Sequence, residues 1–378
     1  MKELSPSKLV GQALSAKHTE PFAMVALGKA AVEMARGAAD LGLVRSGVVI
    51  APSPATVAIP GVAILTGEHP VPGDCSFVAG ERLGHYLENL EEGIDLVVLL
   101  SGGGSALCET PYPGIARTTV VTATTRLLDS AEPFSEMNLA RSHLSMLKLG
   151  GISEVANRPT PTYTIADVAG ADPRVVASGP TNASLWDPTQ ALEILDRVEV
   201  PLTPDERLVV AQRPRPRFDS PIALLADGFD LAQALKRSLP FRASVDSDWL
   251  CRTVSDEVDR ATRLDQTPAI LTGEPLIEVS HAGRGGRNTH AALLAAKAIA
   301  GTDVVFAAFA SDGMDGPGAS AGAVVDGTTW ARCVQPEQAL ETFDSAACLE
   351  EAGGLLSPLP TGSNLGDVWL IFRYSDLE

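Results

Sequence analysis

The sequence predicts an α/β fold made of two α/β domains. Three observations lead there. Short uninterrupted apolar runs alternate with stretches of helical spacing, the pattern of a parallel sheet covered on both faces. Several of those runs end in glycine-rich polar loops. A stretch marked by proline and arginine, 198–220, then interrupts the alternation before a second α/β series begins.

In chain order, 22–27 (FAMVAL) reads as a buried strand ending at Gly28, and 29–41 is compatible with a helix. Strands follow over 47–51, 62–65 and 95–100 (DLVVLL), with helical spacing over 76–90. Residues 117–128 and 136–148 read as helices and 162–166 as a strand. The segment 198–220 reads as irregular or linking. The second series has strands over 222–226, 269–272 and 304–310, helices over 229–238, 253–264 and 288–300, and a terminal strand. The expected division is 1–212 for a Rossmann-like domain with a mostly parallel sheet and 213–378 for a smaller α/β domain, with the active site in the cleft between them.

The chain has 378 residues, long for one hydrophobic core. A net charge of -18 argues against a nucleic-acid backbone as partner, since that calls for clustered Lys and Arg. A local positive pocket for a small anion remains compatible with an acidic surface. Five scattered cysteines, with no Cys-x-x-Cys pair, exclude a disulfide framework and a structural zinc site from the expectation. The first 20 residues lack the apolar core of a signal peptide, and no apolar stretch approaches the ~20 residues of a membrane span. The expectation is a cytoplasmic protein, monomer or homodimer, with no membrane partner.

Candidate chemistry sits at the strand ends, where loops present backbone N–H groups. Lys29, behind Gly28, places an ammonium beside a bound anion or simply in solvent. Ser101-Gly102-Gly103-Gly104-Ser105 lets the backbone approach an anion closely; it fits neither the Walker A nor the dinucleotide spacing. Arg141, Ser145 and Lys148 fall on one helical face by spacing, as an anion site or a solvated basic face. Asp167, ending a strand, suits proton abstraction, metal binding or a turn. Gly283-Arg284-Gly285-Gly286-Arg287-Asn288 opens a helix and reads as a phosphate or carboxylate receptor, or a flexible basic loop. Asp312 and Asp315, in a Gly/Pro loop, could bind Mg2+ or shape a turn. Together these loops suit phosphoryl transfer, where positioning and charge neutralisation dominate.

The ordered set of segments resembles the glycerate 2-kinase family, whose C-terminal region is called the MOFRL domain. The carriers are Gly28-Lys29-Ala30, Glu68-His-Pro-Val-Pro72, Ser101 to Leu107, His143-Leu-Ser145 with Lys148, Asp167-Val, and Ser178-Gly-Pro-Thr181. They continue with Gly273-Glu274, Gly283 to Asn288, Ser311 to Pro317 and Gly362-Ser-Asn364. The chain departs from the family pattern at Leu149, which separates Lys148 from a glycine pair, and at Ala171, Thr289-His290 and Ser311. Those changes touch candidate substrate and metal loops and leave a related hydroxy acid open as acceptor.

The resemblance implies an ATP- and Mg2+-dependent kinase acting on a hydroxyl of D-glycerate or a similar acid. It implies catalytic roles for Lys29, Asp167 and Arg287. Substrate or phosphate binding would fall to Ser101, Gly102, Gly103, Gly104, Ser105, Arg141, Lys148, Arg284 and Asn288. Nucleotide binding would fall to Gly273, Glu274, Gly285, Gly286 and Asn364, and metal binding to Asp312 and Asp315. The alternatives are an oxidoreductase of the hydroxypyruvate reductase type and an inactive homologue that binds an acid or nucleotide.

Overall fold

The computed structural model describes residues 4–52, 58–130, 132–167, 172–246, 248–277, 283–316 and 320–377. The expected turn at Gly170-Ala171 and the Pro317 end of the acidic loop lie outside the described residues. The chain divides into two compact units. One holds Ser5–Ala166 and the stretch up to Leu225; the other holds Asp167 and Ala226 onward.

The first unit is built on a six-stranded sheet. Its strands are β1 (Phe22–Leu27), β2 (Val44–Ala51), β3 (Val62–Thr66), β4 (Asp95–Leu100), β5 (Thr162–Ile165) and β6 (Ile222–Ala226), in the order β3-β2-β1-β4-β5-β6. The pairs β1/β2, β1/β4, β2/β3 and β4/β5 are parallel. All six residues of β1 are buried, which is why that segment reads as a continuous apolar run rather than an alternation. Helices Ala31–Ala39 and Asp74–Glu88 follow β1 and β3. The latter begins under Glu68, whose carboxylate accepts from the N–H groups of Cys75 (3.1 Å) and Ser76 (2.8 Å). Burial pushes the Glu68 carboxyl upward, but these donors win and hold it at about 2.

Two expectations are corrected here. The strand 222–226 closes the first sheet beside β5 instead of opening the second series, so the unit boundary falls at Leu225/Ala226. The segment expected to be irregular contains the helix Pro204–Ala211, started by a capping box in which Thr203 and Glu206 bond reciprocally. Its apolar residues, Val210 and Val200 among them, join a core made by the helices Arg117–Asp129, Phe134–His143 and Pro188–Arg197.

The second unit carries β7 (Ser244–Val245), β8 (Ala269–Gly273), β9 (Val304–Ala310), β10 (Gly322–Asp326), β11 (Leu355–Leu356) and β12 (Asp367–Arg373). The order is β11-β10-β9-β12-β8-β7. The terminal strand β12 lies centrally and runs antiparallel to both β8 and β9. The helix Arg287–Ala298 packs its alanines against Phe306, Ala308 and Trp369. Among the described residues no helix is long and apolar enough to cross a membrane.

Candidate active site

The strand order of the first sheet reverses between β1 and β4, which pair from Phe22↔Asp95 to Leu27↔Leu100. In open α/β sheets the ligand crevice lies beyond the carboxyl ends of the strands at such a reversal. Gly28-Lys29 follows β1 there, and Ser101 to Ser105 follows β4. Backbone bonds fasten the two segments: Lys29 N–H donates to Gly102 O at 2.9 Å and Ser101 N–H to Leu27 O at 2.9 Å. Ala30 N–H donates to Ser101 Oγ at 3.0 Å, so the Ser101 hydroxyl serves as a buckle. Gly28 has φ +122, and a Cβ there would stand 2.3 Å from Ser101 Oγ. Gly103 has φ +82, and its added Cβ would lie 3.2 Å from both Lys29 Cγ and His69 Cδ2. The lysine stem and the His69 imidazole therefore flank the glycine loop. The helix Gly104–Leu107 that follows has only 4 residues, so it adds little dipole to the loop.

A second turn braces this loop. Ala177, Ser178 and Gly179 all have left-handed backbones, with φ of 53, 62 and 61°. The Ser178 hydroxyl donates to Asn138 Oδ1 at 3.0 Å and lies 2.8 Å from the Ser105 hydroxyl. Leu149 and Gly150 are also left-handed, and their N–H groups donate to Ser178 O (3.1 Å) and Gly179 O (2.7 Å). Left-handed non-glycine residues cost ~1–2 kcal/mol each, and such strain concentrates at functional sites. Leu149, where the sequence departs from the family pattern, is fully buried in the helical core, which offsets its strain.

Arg141, Ser145 and Lys148 do not share a helical face. The helix ends at His143, and Ser145 forms an isolated bridge with Pro111. Lys148 still approaches Ser145 Oγ at 3.3 Å, but its ammonium is ion-paired with Glu109, the side chains being 3% and 2% exposed. Arg213 packs over the Tyr112 ring at 3.7 Å and donates to Ser145 O at 2.8 Å. Burial pushes His143 down to about 4, and its neutral ring donates from Nδ1 to Leu139 O at 2.9 Å. The Nε and Nη2 atoms of Arg141 are buried with no hydrogen-bond partner.

In the second unit the helix Arg287–Ala298 starts on a carboxylate. Asp315 accepts from Gly286 N–H (3.2 Å), Asn288 N–H (2.9 Å), Thr289 N–H (2.8 Å) and the Asn288 amide (3.2 Å). This is a helix N-terminus satisfied by a buried anion. Gly286 admits it, since a Cβ there would stand 2.5 Å from Asp315 Oδ1; at Gly285 a Cβ would stand 2.5 Å from Thr289 Oγ1. Arg287 bonds Asp367 through Nε (2.5 Å) and Glu274 through Nη2 (2.6 Å). Burial raises the Asp367 carboxyl to about 6 against the pull of Arg287, with Glu274 and Asp315 adding to the rise. Arg287 itself is pushed up, its two carboxylates outweighing its burial. Asn288 bridges the group, donating to Asp367 at 2.8 Å and accepting from Trp369 Nε1 at 3.1 Å. Arg284, expected at the anion, pairs instead with Glu350 at 2.7 Å on the exposed surface.

Asp167 belongs to this unit: Asn364 donates to its carboxylate at 3.1 Å, and Gly366 packs against its carbonyl, where an added Cβ would stand 2.2 Å away. Gly273, at the end of β8 with φ +150, leaves 2.4 Å between an added Cβ and Leu250 O. Ser311 holds the polar 361–366 loop, its N–H donating to Gly366 O at 3.0 Å and its hydroxyl accepting from Leu365 N–H at 2.8 Å.

The acidic loop does not fit a resident metal. Asp315 is saturated by N–H donors, and Asp312 accepts from Met314 N–H at 2.9 Å in a turn. Among the described residues no group of three or more His, Cys, Asp and Glu side chains gathers to hold an ion. Sequence reasoning missed Glu109, Asn138 and Arg213 as members of these clusters and gave no role to His69 or Asp367. A glutamate placed directly behind an apolar turn, at Leu107-Cys108-Glu109, was the available signal for the first.

Comparison with known proteins agrees with this architecture. Residues 1–210 match the family described as Domain of unknown function (DUF4147), and residues 267–367 match the MOFRL family. A D-glycerate 2-kinase of Thermotoga maritima is 31% identical, covering 96% of this chain and 93% of its own. A glycerate 2-kinase of Pyrococcus horikoshii is 28% identical over 97% of this chain and 90% of its own. The crystal structure of a Thermotoga maritima glycerate kinase superposes with a TM-score of 0.82 at 28% identity, covering 98% of this chain and 96% of that one. With a two-part family match, near-full-length relatives and a shared fold, the chain belongs to the glycerate 2-kinase family.

Proposed function

We propose that the protein transfers the γ-phosphoryl group of ATP to the 2-hydroxyl of D-glycerate. The observation that carries the proposal is the fastening of the Lys29 turn to the Ser101–Gly104 loop at the reversal of the first sheet. This supports the reading because a lysine turn next to a glycine-rich loop offers the charge and the backbone N–H donors that a transferring phosphoryl group requires. Lys29 neutralises charge on that group. Asp167, held by Asn364, orients the attacking hydroxyl or takes its proton. Arg287 is aimed by Asp367 and Glu274, with Nη1 the guanidinium nitrogen outside those two bonds. Glu274, Gly273, Gly285, Gly286 and Asn364 shape the loops around it. Mg2+ is proposed to arrive with the nucleotide, and no step is assigned to a protein-held ion.

The test is ADP release from ATP with each glycerate enantiomer, followed by identification of the phosphorylated carbon by NMR. Turnover on D-glycerate giving the 2-phosphate supports the proposal; product phosphorylated at the 3-hydroxyl, or turnover on neither enantiomer, removes it.

A further inference from the structure

The second unit brings two cysteines together. Cys333 ends the helix Thr329–Arg332, and Cys348 lies inside the helix Ser345–Glu351. Cys333 Sγ stands 3.9 Å from Cys348 O, and Cys348 Sγ stands 3.8 Å from the carbonyl of Val334, the residue after Cys333. The two thiols also interact side chain to side chain. Cys348 is buried in the core with Phe306, Leu349 and Trp369, while Cys333 packs against that core and is partly open to solvent. Both are free thiols. Spacing hides the pair, because its members are 15 residues apart and meet only when the short helix Pro336–Glu341 turns the chain back.

The segment that carries Cys348 also backs the loop ahead of Arg287. Arg284 N–H donates to Asp344 Oδ1 at 3.0 Å, and Ala346 N–H donates to Arg284 O at 2.9 Å. A Cβ at Gly283 would stand 2.3 Å from Phe343 O, and one at Gly285 would stand 3.3 Å from Ala346 Cβ. The Phe343 ring stacks on His290 with centroids 4.9 Å apart, and the Ser345 hydroxyl lies 3.2 Å from His290 Nδ1. Residues 343–346 thus hold both the 283–286 loop and the first turn of the helix Arg287–Ala298.

We propose that Cys333 and Cys348 are a site of reversible oxidation by low-molecular-weight disulfides, closing to an internal disulfide that fastens the backing of the Arg287 loop. The Cys333 thiolate attacks one sulfur of the small disulfide; that S–S bond breaks, a mixed disulfide forms and one small thiol leaves. The Cys348 thiolate then attacks Cys333 Sγ, forming the internal bond and expelling the second small thiol. Two protein thiols give up two electrons and two protons, and the small disulfide takes them up to become two thiols. Access sets the order, since Cys333 is the more open of the two. Burial raises both thiols, Cys348 to about 12, while Arg332 opposes the rise at Cys333. The exchange is therefore slow, and the enforced contact favours closure over a standing mixed disulfide. Closing the loop restricts the unfolded chain and so stabilises the folded one.

The experiment compares protein incubated with oxidised glutathione and protein held in dithiothreitol, alongside Cys333→Ser treated in the same two ways. Non-reducing peptide mapping is expected to find Cys333 and Cys348 cross-linked to each other, and the exposed Cys75 and Cys251 carrying glutathione. The melting temperature is expected to rise by about 5–10 °C on oxidation, to fall back with dithiothreitol, and to show no rise in Cys333→Ser. Amide hydrogen exchange at Arg284 and Ala346 is expected to slow by ~10-fold or more. Cys333 carrying glutathione beside a free Cys348, or both thiols unreacted, overturns the site. A cross-link that leaves the melting temperature and the exchange at Arg284 and Ala346 unchanged overturns the fastening. None of these readouts uses ATP or glycerate, so their failure is separate from a failure of the kinase reading.

Discussion

Lys148 and Glu109 form an ion pair inside the first unit, neither side chain more than 3% exposed. Glu109 follows the glycine loop and its short helix; Lys148 precedes the left-handed Leu149-Gly150 turn that bonds to Ser178 and Gly179. The pair therefore ties the two turns that brace the candidate phosphoryl site. Glu109→Gln leaves the lysine buried and unpaired, and we expect a cost of ~3–5 kcal/mol in urea unfolding. The double variant Glu109→Gln/Lys148→Met should recover most of that loss, and equal losses in the single and double variants would contradict the pairing.

Lys29→Ala is expected to lower turnover by ~100-fold or more, as for loss of one preorganised electrostatic contact, with the unfolding midpoint unchanged. Turnover near that of wild type would remove Lys29 from the chemistry.

Leu149 offers a reversal of the usual order. It is buried, so Leu149→Ala should cost ~2–5 kcal/mol, but alanine keeps the left-handed strain of φ 51°. Leu149→Gly relieves ~1–2 kcal/mol of it. The glycine variant should therefore be at least as stable as the alanine variant, the opposite of the order in helices or strands; a clearly less stable glycine variant would show that strain is not felt there.

Asp315 caps a helix, so Asp315→Ala should destabilise the fold by ~1–2 kcal/mol or more, read by thermal unfolding. At temperatures where the variant is folded, the Mg2+ concentration giving half-maximal activity should not move. A tenfold increase in that concentration would restore Asp315 as a metal ligand.

The Asp367 carboxyl, raised to about 6 by burial, gives a pH signature. An unfolded aspartate titrates near ~3.9, so the folded chain holds the proton more tightly between the two values. The stability from that protonation is fully present below the unfolded value and is lost as pH rises through about 6. The stability advantage of wild type over Asp367→Asn should accordingly shrink from pH 4 to pH 7. A constant difference across that range would show that Arg287 and Asn288 keep the carboxylate ionised throughout.

The fold was legible where burial alone decides the pattern. β1 and β4 are continuous apolar runs because both faces are covered, and the helices Asp74–Glu88 and Arg287–Ala298 show their spacing. β6 was misassigned because its apolar run carries no mark of which sheet it joins; that depends on pairing with β5, far back in the chain. The face formed by Arg141, Ser145 and Lys148 failed because the chain leaves the helix after His143 to bridge Pro111, a tertiary contact that overrides spacing. At the site, glycines and loops were visible as composition, but partners were not. Nothing near Arg287 in sequence announces Asp367, 80 residues on, and an acid in a turn reads alike whether it caps a helix or holds a cation.

The most direct test of the central claim is the rate of ADP release from ATP with D-glycerate, with the product analysed for the position of the phosphate. The account predicts turnover yielding 2-phosphoglycerate and abolished, by ~100-fold or more, in Lys29→Ala. ADP release that is independent of D-glycerate, or a Lys29→Ala enzyme as fast as wild type, would contradict it.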